Sequence, residues 1–190
     1  MTDVVLFHSV LGLRPVEIRA AGRLRAAGHT VSTPDLYAGQ VATTLEEGFE
    51  LKDRIGWATI VRRAQDAMDS LPDSTVLAGF SMGAGVVDSL LPRRPDTAGV
   101  LLLHGLATIP GAARAGLPAQ LHVADPDPFA RPADVAAWRA AAGGARATAQ
   151  VFTYPGAGHF YLDADLPDHD GQAAALTWQR ILTFLDTLTQ

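Results

Sequence analysis

Cysteine is absent from the 190 residues of this chain. That absence excludes disulfide frameworks, thiolate metal sites and cysteine nucleophiles together. Clustered positive charge is missing too. The net charge is −5 and the basic residues are mostly scattered arginines, so no nucleic-acid-binding stripe forms. Long apolar runs are also lacking, and none approaches the ~20 residues of a membrane span. Met1-Thr2-Asp3 carries an acid where a secretory leader carries bases, and the apolar stretch Val4–Phe7 is too short for a leader core. The expectation is a cytoplasmic protein with neither a membrane nor a nucleic-acid partner. No cluster has metal-ligand spacing, so neither a metal nor an organic cofactor is expected.

What is present is enough apolar sequence for a core: 48% of residues are hydrophobic and 18% charged. At about 100–200 residues per domain, the length fits one domain over 1–190. Short β-rich apolar runs alternate with helical patterns. Strands are expected at Val4–Phe7, Thr30–Thr33, Thr75–Gly79, Gly99–Leu103, Gln120–Ala124 and Ala149–Thr153. Helices are expected at Pro15–Ala27, Ile55–Leu71, Met82–Leu91, Ala133–Ala142 and Gly171–Leu188. Residues 38–52 read as loop with weak helical character. Six strands interleaved with helices imply an α/β fold, a mostly parallel sheet covered on both faces.

The segment Gly79-Phe80-Ser81-Met82-Gly83 carries the chemistry. It is a G-x-S-x-G motif with an apolar strand before it and a helix after it. A serine at the tip of so tight a turn must accept strained backbone angles, and its neighbours two residues either side must be small. The turn lifts Oγ clear of the sheet, beside a helix N-terminus whose free N–H groups favour developing negative charge. Ser81 is therefore the candidate nucleophile, with the N–H of Met82 as one oxyanion donor.

A serine needs a base. Motifs of this kind place the acid and then the histidine after the serine in chain order. Of six histidines, His159 fits, in the small-residue turn Pro155-Gly156-Ala157-Gly158 after the last strand. His169, among Asp165, Asp168 and Asp170, reads as a surface residue. The acid should follow the strand Gln120–Ala124, where the residues allow either Asp125 or Asp127. A second oxyanion donor should come from the loop His8-Ser9-Val10-Leu11-Gly12. Candidate substrate-binding positions are His8, Ser9, Tyr37 and Phe160. For His8, a buried structural role is an equal expectation, and Tyr37 has the alternative of covering the sheet edge.

Over nearly its whole length the chain resembles the dienelactone hydrolase family, within the α/β-hydrolase fold. The resemblance rests on Leu6–Leu13, Thr33–Gly39, Gly79–Gly83, Asp125–Phe129, Tyr154–Phe160 and the closing helix around Trp178–Leu185. It implies a Ser81–Asp127–His159 triad, with Asp125 in reserve, and puts the second oxyanion donor on the N–H of Val10. Three departures stand out. The type enzymes use a cysteine where Ser81 stands, a glutamate where Ser9 stands, and an arginine after the histidine, where this chain has Phe160-Tyr161-Leu162-Asp163. An uncharged small ester or lactone is therefore expected as substrate, with Asp163 repelling acids if it faces the site. A thioesterase or acyltransferase with the same triad, or a hydrolase-shaped binding protein with weak turnover, is the alternative. With no lid insertion between Gly99–Leu103 and Gln120–Ala124, a fairly open pocket is expected. The residues give no oligomeric state.

Overall fold

A computed structural model describes residues 1–188; residues 189–190, part of the expected domain, lie outside the described residues. Six parallel strands form one sheet in the order β2-β1-β3-β4-β5-β6. They are β1 (Asp3–Phe7), β2 (Thr30–Ser32), β3 (Val76–Phe80), β4 (Val100–Leu103), β5 (Pro118–Asp125) and β6 (Thr148–Pro155). The helices are α1 (Pro15–Ala26), α2 (Leu45–Ile55), α3 (Trp57–Met68), α4 (Met82–Leu90), α5 (Pro132–Gly144) and α6 (Gly171–Thr187).

The central strands β1, β3, β4 and β5 are buried on both faces because both faces are covered, and the pleat deals alternate side chains to two separate cores. From β1, Val5 and Phe7 enter the core beneath α3, α4 and α5, while Val4 and Leu6 enter the one beneath α1 and α6. In β4, Val100 and Leu102 take the first face, and Leu101 and Leu103 the second. Parallel pairing aligns the C-terminal ends of β1, β3 and β4 at one edge, with Phe7 opposite Gly79 and Phe80 opposite Leu103. Ligand sites in open α/β sheets form at that edge.

Two expectations need correction. Residues 38–52 are not mainly loop: α2 begins at Leu45. The single helix expected over Ile55–Leu71 is two elements, split at Gly56, whose φ of 83° ends α2 and opens α3. The helix α2 was hard to see because it buries only Gly48 and Leu51, too few for a helical stripe. Its signal lay in the cap. Thr44 Oγ1 accepts the Glu47 N–H at 3.2 Å, and Glu47 Oε2 accepts from the Thr43 N–H at 2.9 Å.

His8 ties the end of β1 to the loop after β2. Its Nδ1–H donates to the Ser9 carbonyl at 2.7 Å, and its Nε2 accepts the Leu36 N–H at 3.0 Å. The Tyr37 ring packs edge-on against it at 4.7 Å.

Three histidines, His8, His104 and His122, are fully buried. Burial lowers the pKa of each, that of His122 to about 3, with Arg180 adding to the effect. Each takes up a proton on unfolding once the pH falls below the unfolded value of about 6.5. The stability they contribute is therefore complete above that value and is lost as the pH falls toward their folded pKa values. Glu17, raised by burial, works in the opposite sense. Urea unfolding should show stability falling between pH 6 and pH 5, by roughly 1 kcal/mol from His122 alone. A His104→Phe variant should show a shallower fall over the same range.

Candidate active site

The site begins with a close approach. A Cβ on Gly79 would lie 2.3 Å from the Gly83 carbonyl, and one on Gly83 would lie 2.4 Å from the Phe7 carbonyl oxygen. Only glycine at both positions lets α4 start directly against the ends of β1 and β3. Ser81 sits between them with φ 49° and ψ −107°, a conformation unfavourable for any residue with a side chain. Its N–H is held by the Leu103 carbonyl at 2.7 Å. Gly105, which no sequence pattern marked, makes room on the β4 side, where a Cβ would lie 2.7 Å from the Ser81 carbonyl oxygen.

Ser81 Oγ lies 2.9 Å from His159 Nε2, and the hydroxyl donates to the ring when Nδ1 carries the imidazole proton. His159 Nδ1 in turn faces both Asp127 oxygens, at 2.8 and 3.0 Å. Asp127 is 2% exposed, so its carboxylate meets the imidazole away from water. Its Oδ1 also accepts the Phe129 N–H at 2.9 Å, which orients the carboxylate. Asp125, the reserve candidate, ends β5 and lines a separate groove of about 460 Å3 between α5 and the β5–β6 edge.

Met82 is the first residue of α4, so its N–H is among the helix donors without an intrahelical partner. Val10 packs against the Met82 side chain, and both line the cleft that holds Ser81. The cleft has a volume of about 260 Å3. Its walls are apolar: Val10, Leu45, Phe49, Trp57, Leu106 and Phe129. Leu45 and Phe49 come from α2, so the segment expected to be loop supplies one wall. Lys52 stands there too, ion-paired with Asp53.

Several substrate-binding expectations are corrected. His8 and Tyr37 are 0% exposed and do not line the cleft. His8 is occupied by its two backbone partners, and the Tyr37 hydroxyl donates to Met82 Sδ at 3.1 Å from beneath. Burial, with a contribution from Asp53, raises the Tyr37 pKa. Ser9 is likewise buried, and its Oγ accepts the Leu11 N–H at 3.3 Å. Phe160 packs on the His159 ring at 4.6 Å and supports it instead of facing the cleft. Asp163 does not reach the cleft either: it is paired with Arg14 at 3.0 Å and Arg19 at 3.6 Å.

His104 was missed. It follows β4 with φ 62°, lines the cleft, and its ring lies 5.7 Å from that of His159. Both ring nitrogens are buried without a hydrogen-bond partner. Burial first, then the His159 and His122 charges, hold its pKa well below the ordinary value, so it stays neutral. No sequence pattern distinguished it from the other histidines. Among the described residues, no group of three His, Asp or Glu side chains is placed to hold a metal, and no helix is long and apolar enough to cross a membrane.

A profile of the dienelactone hydrolase family matches residues 1–189. No curated protein matches the sequence significantly. Among solved structures, the chain is similar to a dienelactone hydrolase-like promiscuous phosphotriesterase from metagenomic libraries. The identity is 20%, with 99% of this chain and 87% of that one covered at a TM-score of 0.76. It is also similar to MGS-M1, an α/β-hydrolase from a Medee basin deep-sea metagenome library, at 11% identity, 100% and 86% coverage and a TM-score of 0.72. A phospholipase/carboxylesterase from Dyadobacter fermentans shares 16% identity, with 95% and 90% coverage and a TM-score of 0.63. At these identities the structures speak for the α/β-hydrolase fold alone; the family profile, spanning nearly the whole chain, shows that this protein belongs to the dienelactone hydrolase family.

Proposed function

We propose that this protein hydrolyses small, uncharged carboxylic esters or lactones through an acyl-enzyme on Ser81. The observation that carries the reading is the relay from Ser81 Oγ through His159 to Asp127, at 2.9 and 2.8 Å. His159 Nε2 takes the hydroxyl proton as Oγ attacks the carbonyl carbon, and Asp127 stabilises the imidazolium that forms. The N–H groups of Met82 and Val10 hold the tetrahedral oxyanion. His159 then returns its proton to the leaving alcohol as the C–O bond breaks. A water, deprotonated by the same imidazole, attacks the acyl-enzyme, and collapse of the second intermediate frees the acid and restores Ser81. None of these steps requires a cofactor.

The apolar walls support the substrate class. A carboxylate on the acyl group would face Phe49, Trp57 and Phe129, apolar surface that offers it no counter-charge. The cation beside it, Lys52, is already paired with Asp53. The absence of an arginine after His159 points the same way.

A fluorophosphonate probe should label the wild-type protein and not Ser81→Ala. Lack of labelling of the folded wild type would sink the proposal. In ester hydrolysis, Ser81→Ala should lower kcat by roughly 10^4–10^6. Asp127→Asn should lower it by roughly 10^4, because the amide favours the wrong imidazole tautomer. On a panel of esters, lactones and thioesters, kcat/KM for a neutral acyl group should exceed that of its carboxylate-bearing counterpart by about 10-fold or more. The reverse order would redirect the substrate class.

A further inference from the structure

The loop between β1 and α1 carries Val10, and an acidic side chain that the proposed mechanism does not use closes it. Glu17, in the first turn of α1, reaches back over the loop. Its Oε1 accepts the Ser9 N–H at 3.2 Å, and its Oε2 accepts the Arg14 N–H at 3.0 Å. One carboxylate therefore grips both ends of the stretch Ser9–Arg14, which carries Val10 beside one grip. The rest of the loop is held by neutral contacts. Gly12 N–H donates to the Ser9 carbonyl at 3.1 Å, and the Leu11 carbonyl accepts the Ala42 N–H at 2.9 Å. On the outside, Gly48 of α2 lies so close that a Cβ there would sit 2.9 Å from the Val10 carbonyl oxygen.

As a simple helix cap this arrangement is costly. Glu17 is 0% exposed and forms no ion pair among the described residues. Burial raises its pKa, against the lowering effect of the backbone N–H groups it accepts from. A neutral glutamine would cap a helix with less desolvation. What glutamine lacks is the second acceptor oxygen: its NH2 cannot receive the other N–H.

The clamp also reaches the loop that carries His159. Arg14, whose N–H Glu17 holds, extends its guanidinium to Asp163 at 3.0 Å, and the Asp163 N–H donates to the Phe160 carbonyl at 2.8 Å. A small cavity behind the cleft is bounded by Ser9, Glu17, His104, Phe160 and Asp163. The titratable and charged groups around Glu17 are therefore His104 from the end of β4, Asp163 from the loop after β6, and Arg14 from its own loop. Burial keeps His104 neutral, and Asp163 is tied to Arg14 and Arg19.

We propose that Glu17 is a positioning residue: as a carboxylate it holds the Val10 N–H at the oxyanion, and protonation frees one end of the loop and loosens that donor. The inference rests on the ester-hydrolase reading above. An oxyanion donor acts on the transition state more than on bound substrate, so its loosening lowers kcat with little change in KM.

The experiment is steady-state ester hydrolysis between pH 4.5 and 8 on wild type and Glu17→Gln, with fluorophosphonate labelling of both. The wild-type acid limb of kcat/KM should take up two protons, one of them on Glu17. Glu17→Gln should show a one-proton limb, with kcat about 10-fold lower or more at pH 8 and KM within about twofold. If wild type is not labelled at Ser81, the ester-hydrolase reading fails, whatever Glu17 does. If wild type is labelled and active but its acid limb fits one proton, the Glu17 inference is wrong. A Glu17→Gln variant with wild-type kcat, or with its loss in KM alone, overturns it as well. The wild-type profile decides the matter even if the glutamine variant does not fold. In that case Glu17→Asp, charged but too short to reach both N–H groups, should lose kcat with KM within about twofold.

Discussion

The site depends on how closely the N-terminus of α4 approaches the ends of β1 and β3. A single methyl group at Gly79 or Gly83 would overlap backbone at 2.3–2.4 Å. With that methyl absent, the chain turns from strand to helix within one residue, and the residue at the turn must take a positive φ. That residue is Ser81. Its projection above the sheet, the placing of the Met82 N–H beside it, and its 2.9 Å reach to His159 all follow from the turn. Gly105 meets the same demand from the β4 side. The strain is stored locally and is borne by two apolar cores packed on either face of the sheet.

Around this turn the molecule sorts its ionisable groups by burial. The buried imidazoles His8, His104 and His122 have their pKa values lowered chiefly by desolvation. Buried carboxylates are given specific partners: Asp127 has His159, and Asp163 has Arg14. Glu17 differs, because its partners are two backbone N–H groups of one loop. The cleft is mostly apolar, and its charged lining residue, Lys52, is paired with Asp53, so the proposed reaction would take place against largely apolar walls.

Much of this was legible in the residues. The strand-to-helix turn at Ser81 and the small-residue turn bearing His159 both have local signatures, since their backbone geometry demands glycine at known offsets. The central strands were visible because burial on both faces makes them nearly continuously apolar, and the edge strands β2 and β6 because short β-rich runs stand between helical patterns. The helix α2 was not, because it presents Gly48 and Leu51 to the protein and its capping pattern at Thr44 and Glu47 was the sole cue. His104 gave no cue: a histidine after an apolar strand looks the same whether it faces a cleft, a neighbour or water. His8 and Tyr37 misled for a related reason. Their position at the sheet's C-terminal edge suggested the cleft, but backbone N–H and C=O groups there needed partners, and His8 supplies them.

The sequence by itself determined the strand order of chemistry along the chain: serine, then an acid, then histidine, each after its own strand, with glycines where the backbone must turn. It also excluded thiol chemistry outright, since there is no cysteine. The residues alone left Asp125 and Asp127 open; the resemblance favoured Asp127, and the tertiary structure places that carboxylate against the imidazole. Two residues separate them, but β5 ends between them. Asp125 is left on one side of the sheet edge, and Asp127 is carried over to His159. The tertiary structure likewise decided which walls enclose the cleft, and that a carboxylate eight residues from Ser9 closes the loop beside it. Such contacts depend on distances across the sheet and between loops, and no local spacing encodes them.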